Sequence, residues 1–234
     1  MPTPALPAYF FDNIRLADDD ANVGILDDPM PILFEDERLI DMGDTRPHTT
    51  AETHLHHMLA AFCADYGGLD VLGNMNLYYH PAEPTAFVSP DLMIAPAPLP
   101  WNLRGYRIGE TGPAPLLVVE VLSRRSFVEG DLLFKPNLYA ALGIAEYLLV
   151  DLTGELLRER LLLKQRNPYG HWQDQTPSSD GVRSRLGFRV GIEGHALTVV
   201  NEATGERYLA PEQNRRRVRE LEAELARLRP KTSP

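Results

Sequence analysis

Two apolar, strand-like runs each carry one carboxylate: Asp91 in Ser89-Pro90-Asp91-Leu92-Met93-Ile94, and Glu120 in Val118-Val119-Glu120-Val121-Leu122. An ionised carboxylate taken into an apolar interior costs several kcal/mol unless a cation or a hydrogen-bond donor compensates it. Two of them in strand interiors therefore call for a partner, and a divalent metal would supply one. Two carboxylates at neighbouring strand ends, joined by a backbone carbonyl, make the oxygen-rich, incomplete shell that suits Mg²⁺ or Mn²⁺ and leaves positions for water and phosphate. Such an ion polarises a phosphate and lowers the pKa of an attacking water. The plainer alternative is that Asp91 closes a turn after Pro90 and Glu120 pairs with a core arginine.

Other residues compete for a role. Glu52 could be a third acidic ligand, but Thr49-x-x-Glu52 also fits a capping box, and the cap is the preferred reading. His54, His56 and His57 look like a metal cluster. On a helix, however, only His54 and His57 share a side, so solvated or packed histidines are preferred to ligands. Ser123, Arg124, Arg125 and Ser126 follow Glu120 directly and could bind phosphate, or form an exposed loop of no special role. No P-loop lysine, dinucleotide glycine fingerprint or Gly-x-Ser-x-Gly elbow is present, which removes nucleotide-dependent and serine-hydrolase readings.

The elements that must hold these residues read as follows. Residues 1–47 are rich in Pro and Asp and predict an irregular acidic arm with one strand near Ile32–Phe34. From Thr49, the spacing of Leu55, Met58, Leu59, Phe62, Cys63 and Tyr66 predicts a helix stopped at Gly67-Gly68. Leu69–Tyr79 and Ala86–Ala95 predict an antiparallel hairpin about the His80–Pro84 turn, followed by a long Pro-rich loop from Pro96 to Pro115. Leu116–Leu122 reads as a central strand buried on both faces. A helix begins near Pro136 and stops at Gly143, and Glu146–Asp151 is another buried strand. Leu156–Tyr208 is a succession of short strands with turns at Asn167–Gly170, Glu193-Gly194 and Thr204-Gly205. The core thus spans residues 48–209. Residues 210–234 form a charged terminal helix whose Val218, Leu221, Leu225 and Leu228 have coiled-coil spacing over barely two heptads. That seam predicts a homodimer, with part of the contact coming from the globular domain.

Composition bounds the partners. With 234 residues, 44% of them hydrophobic, the chain can bury one generous core. No stretch reaches the roughly 18 apolar residues of a membrane helix and no signal peptide is seen, so a cytoplasmic protein is expected. The single cysteine, Cys63, excludes a disulfide framework and a cysteine-based zinc site. A net charge of −10 argues against a surface that coats nucleic acid, because phosphate binding rests on Lys and Arg. The positive charge is nevertheless concentrated: Arg104, Arg107, Arg124, Arg125 and Lys135 share one central segment.

Several short motifs recur in one order: Gly73-Asn74 with Tyr78-Tyr79, Pro90-Asp91, Val119-Glu120-Val121-Leu122-Ser123, Asp131, Lys135, Tyr139, Glu146-Tyr147 and Val150-Asp151. In this the chain, from about Thr49 to Tyr208, resembles the Uma-two family of restriction-endonuclease-like proteins, placed in the PD-(D/E)XK nuclease superfamily. The resemblance implies an α/β (α+β) restriction-endonuclease-like core, a mixed β-sheet flanked by helices, with extra C-terminal hairpins and the terminal helix. It implies Asp91 and Glu120 as metal ligands. The simplest superfamily pattern has a lysine two residues after the glutamate, where this chain has Leu122. The family-like pattern offers Lys135, on the following helix, in its place. Tyr139, one turn beyond, either braces that lysine or is a core aromatic.

Two functions are thus in play. The first is an Mg²⁺-dependent endonuclease acting on nucleic acid, DNA ahead of RNA, with Asp91, Glu120 and Lys135 as its catalytic residues. The second is a catalytically inactive nuclease-fold module for binding or assembly, favoured by Leu122 and the net negative charge.

Overall fold

The computed structural model describes residues 45–123, 127–175 and 177–228. The acidic arm up to residue 44, with its expected strand at Ile32–Phe34, lies outside them.

Helix α1 (Arg46–Tyr66) buries Ala51, Leu55, Met58, Leu59, Phe62 and Cys63 along one stripe. Its N-cap is Thr45, whose side chain accepts from the His48 N–H at 3.5 Å. The helix therefore begins one turn earlier than Thr49 predicts, and the capping-box reading of Glu52 is overturned: Pro47 stands among its first residues, where a missing N–H costs nothing. Gly67 ends it at φ +77°.

The hairpin is real but broken in two. Strand β1 (Leu69–Gly73) pairs with β4 (Leu92–Pro96), whereas β2 (Leu77–Tyr78) pairs with β3 (Phe87–Val88) in a separate small sheet. The Pro-rich loop is not wholly irregular, since β5 (Tyr106–Arg107) runs parallel to β2. Strands β6 (Leu117–Val121) and β7 (Glu146–Val150) are entirely buried and parallel, linked across one face by a π-helical segment (Phe127–Phe134) and α2 (Lys135–Leu142). Strands β8 (Leu161–Arg166) and β9 (Trp172–Gln175) complete a six-stranded mixed sheet of order β1-β4-β6-β7-β8-β9. They are thus part of the main sheet rather than an appended hairpin. Strands β10 (Val182–Arg183), β11 (Phe188–Glu193), β12 (Ala196–Asn201) and β13 (Arg207–Tyr208) form a second antiparallel sheet. Helix α3 (Pro211–Leu228) follows. Among the described residues, no helix is long and apolar enough to cross a membrane.

Two cores result. Leu92, Ile94, Leu117, Val119 and Val121 face α1 and the second sheet, where Phe62 meets Phe188 at 5.0 Å between ring centroids. Met93, Ala95, Val118 and Leu122 face α2, with Leu138, Tyr139 and Tyr147. The two-residue period of a strand puts Asp91 and Glu120 on this second face.

Asp151 closes β7. Burial works to raise its pKa, but the N–H groups of Leu157, Leu156 and Gly154 and the Thr153 hydroxyl hold it below 3.8. The donor distances are 2.8, 2.6, 2.9 and 2.8 Å respectively. Asp151→Ala would strand these backbone donors, and urea unfolding at neutral pH should show a loss of about 3 kcal/mol. Because the folded pKa is depressed, the difference should shrink as pH falls below 3.8. A loss below about 0.5 kcal/mol at neutral pH would refute this role.

Candidate active site

Glu120 sits near the end of β6 and is 3% exposed. Asp91 immediately precedes β4 and follows the buried Pro90. The β4–β6 register pairs Leu92 with Val119, so one step further sets Asp91 opposite Glu120. Asp91 Oδ2 accepts from the Val121 N–H at 2.6 Å, and its backbone carbonyl accepts from the Asn74 N–H at 2.9 Å. The two acids are therefore cross-strand neighbours on one face, and the carboxylate of Asp91 is fixed by the backbone of the adjoining strand.

Lys135 reaches this pair. Its Nζ lies 2.9 Å from Glu120 Oε2 and 2.9 Å from Asp131 Oδ1. The sequence places Lys135 at the opening of a helix, where an ammonium opposes the helix dipole. The helical path in fact arrives through the π-helical segment, and Phe134 already has αR geometry. Pro136 has no N–H to donate back along the helix, and the wider π turns absorb that break. They also set Asp131 one turn behind Lys135 on the same side.

Tyr139 donates from its hydroxyl to Glu120 Oε1 at 2.9 Å. It braces the glutamate rather than the lysine, because residues 135 and 139, one turn apart, converge on the two oxygens of one carboxylate. Tyr147 packs on the Tyr139 ring at 5.1 Å and donates to the Asp131 carbonyl at 3.0 Å.

Glu52 accepts from Asn74 Nδ2 at 2.5 Å, so it touches the strand break beside Asp91 rather than the two acids. One turn earlier, His48 places Nε2 3.5 Å from Asp91 Oδ2. Neither His48 nor Asp131 is assigned a role by the sequence reading. The signals were present as i, i+4 pairs, His48 with Glu52 and Asp131 with Lys135, but both look like ordinary helix-surface spacing. His54 pairs with Glu212 of α3 at 3.1 Å, and His56 lies against Gly73, its pKa lowered by burial and by His57. Neither approaches the acids. Arg124 and Arg125 lie outside the described residues.

The electrostatics are unbalanced. Among the described residues, Glu120 and Asp131 hold the one ammonium, Asp91 lies across the strand pair from Glu120, and His48 stands at the edge. Burial, opposed by Lys135 and reinforced by Asp91 and Asp131, pushes the Glu120 carboxyl up to about 8. Burial works to lower the Lys135 ammonium, but the Glu120 and Asp131 carboxylates hold it above its ordinary value. A site with this excess of negative charge fits a cation. Among the described residues no group of three or more His, Cys, Asp or Glu is arranged as a metal cage. Two carboxylates with the remaining positions left to water and phosphate suit Mg²⁺, which keeps several waters. Both named contacts of Asp91 fall on Oδ2, leaving Oδ1 for a ligand.

A pH dependence follows. The folded pKa of Glu120 is raised above the ordinary 4.5, so its stabilising contribution is full below 4.5 and is lost as pH rises through about 8. In metal-free buffer, the Tm of the native chain should fall across this window relative to Glu120→Gln. The difference in unfolding free energy between the two proteins should shift by a few kcal/mol towards the glutamine from the acid to the alkaline end, whatever its starting value. Parallel Tm curves for the two proteins would show that the carboxylate is not strained.

A solved structure from Anabaena variabilis, described as a "putative nuclease belonging to DUF820", is 11% identical, covers 65% of this chain and 81% of its own, and gives a TM-score of 0.44. No curated protein matches the chain significantly. The family model Uma2, described as "Putative restriction endonuclease", matches residues 28–200. With most of its length matched by that model, the chain belongs to the Uma2 family of nuclease-type proteins.

Proposed function

We propose that this chain is a divalent-metal-dependent endonuclease that hydrolyses phosphodiester bonds of nucleic acid, DNA in preference to RNA. The observation that carries the reading is the meeting of Asp91, Glu120 and Lys135 at one sheet end, with the lysine supplied by a helix instead of the glutamate's own strand. Family membership supports nuclease chemistry in general.

In this reading Asp91 and Glu120 hold Mg²⁺ or Mn²⁺, which when bound polarises the phosphate and acidifies water. Tyr139 fixes the rotamer of Glu120 through Oε1, so that its other oxygen is aimed. Lys135 is shared between two carboxylates. It can leave Glu120 while Asp131 still anchors it, and turn an N–H towards the charge that develops on phosphate, a contribution commonly of a few kcal/mol. His48 steadies Asp91 from the start of α1. Arg124 and Arg125, next along the chain, are candidates for the phosphates on either side of the scissile bond. A homodimer would present two such sites to the two strands of a duplex. The inactive-module alternative has one observation in its favour: Lys135 already neutralises Glu120 without any ion.

The test is cleavage of plasmid and of single-stranded DNA and RNA in Mg²⁺ and in Mn²⁺. Lys135→Ala, Asp91→Asn and Glu120→Gln should each lower the rate at least about 100-fold with folding intact, as removal of one charge-stabilising group does. Asp131→Asn should lower it less, by about tenfold, as expected for a group that orients another. Metal-dependent cleavage unchanged in Lys135→Ala would remove the lysine from the mechanism. No cleavage by the native chain of any substrate, with metal bound or not, would leave the binding module as the better reading.

A further inference from the structure

Helix α3 spans 18 residues, and Glu212 in its first turn meets His54 of the body. From Arg215 to Arg227 every residue is exposed. Val218, Leu221 and Leu225 are 47, 42 and 61% exposed and lie on one stripe of an otherwise highly charged helix. An isolated helix of this length is marginal in water, and an apolar a-d-a stripe is the mark of a helix that has a partner helix.

The charges select the partner and its direction. With Val218 and Leu225 at a and Leu221 at d, Arg217 and Glu224 occupy g while Arg215 and Glu222 occupy e. In a parallel, in-register pair, g of one helix faces the e residue five positions on in the other. Arg217 then meets the partner's Glu222, twice by symmetry. In an antiparallel pair with the same stripe matched, e faces e and g faces g about the centre. Glu222 would then oppose Glu222 and Glu224 would oppose Glu224, which is repulsive on both sides. At the helix base, a groove of about 460 Å³ opens between His57 of α1 and Pro211, Asn214 and Val218 of α3. Side chains of a second copy could enter it and add contact that two heptads alone lack.

We infer that α3 is a homodimerisation element that pairs parallel and in register with α3 of a second copy, seamed by Val218, Leu221 and Leu225 and selected by Arg217–Glu222 pairs. The inference rests on the homodimer part of the proposed function and not on the nuclease part. Parallel pairing sets both globular bodies at the same end of the seam.

The experiment is sedimentation velocity on the full chain, with circular dichroism as a check of folding. The native chain should be a dimer, and Leu221→Asp a folded monomer. Arg217→Glu and Glu222→Arg should each weaken dimerisation at least about fivefold, and the double reversal should restore it. For direction, Leu221→Cys places a thiol on the stripe of a chain whose only other cysteine, Cys63, is buried. It should oxidise to a cross-linked dimer by itself. A monomeric native chain at high micromolar concentration would overturn the homodimer itself. A dimer that survives Leu221→Asp would show that another face pairs. Cross-linking only between Leu221→Cys and Leu225→Cys chains, or a double reversal that fails to restore the dimer, would overturn the parallel register.

Discussion

Burying the carboxylate of Glu120 is the cost around which one half of this molecule is arranged. A charge on the central strand, with Val118 and Leu122 as its same-face neighbours, has to be met by donors brought from elsewhere in the chain. Helix α2 brings Lys135 and Tyr139 to its two oxygens, the π-helical segment brings Asp131 to share the lysine, and Tyr147 of the next strand supports both. Removing one member of such a buried set leaves an uncompensated charge, a change that costs about 3–5 kcal/mol. Among the described residues the network holds three carboxylates, Asp91, Glu120 and Asp131, around one lysine and one histidine.

The topology explains why the surplus is tolerated at this place. Strands β6 and β7 are parallel, so the crossover through α2 must return across the sheet face, and the loop after β6 opens at the strand end where Asp91 enters β4. The break in the β1–β4 hairpin serves the same point. Residues 74–76 and 89–91 leave the main sheet, and the turn they make lets Asn74 hold the Asp91 carbonyl and Glu52 at once. Asn74 accepts a φ of +47° there, a conformation asparagine tolerates better than most residues. The end of the sheet is thus held by side chains and caps where ladder hydrogen bonds have stopped.

Much of this was legible before any coordinates. A lone carboxylate in an apolar run is a strong signal because its energetic penalty is large, whereas the common face of Asp91 and Glu120 depends on the β4–β6 register. Lys135 was legible through the gap at Leu122 and the family resemblance. What escaped has physical causes. A two-residue strand such as β5 carries too little pattern to be told from a loop. A π turn has no sequence period of its own, so the segment carrying Asp131 read as undefined. The cap at Thr45 lost to Thr49-x-x-Glu52 because both fit the same local rule, and only packing of Glu52 on Asn74 separates them. His48 is found only when α1 is docked, since its partner lies 43 positions away in sequence, Asp91. The strands β8 and β9 were recognised as strands, but sheet membership is a long-range property that no local window contains.

The central claim is that the unmatched negative charge between Asp91 and Glu120 is a place for a divalent cation. Crystals soaked in Mn²⁺ test it most directly. The account predicts an anomalous peak within coordination distance of Asp91 Oδ1 and a Glu120 oxygen, with Lys135 retained by Asp131 and water filling the remaining positions. Mn²⁺ bound elsewhere, or no peak there while Lys135 stays locked on Glu120, would contradict it and make the cluster a closed structural network.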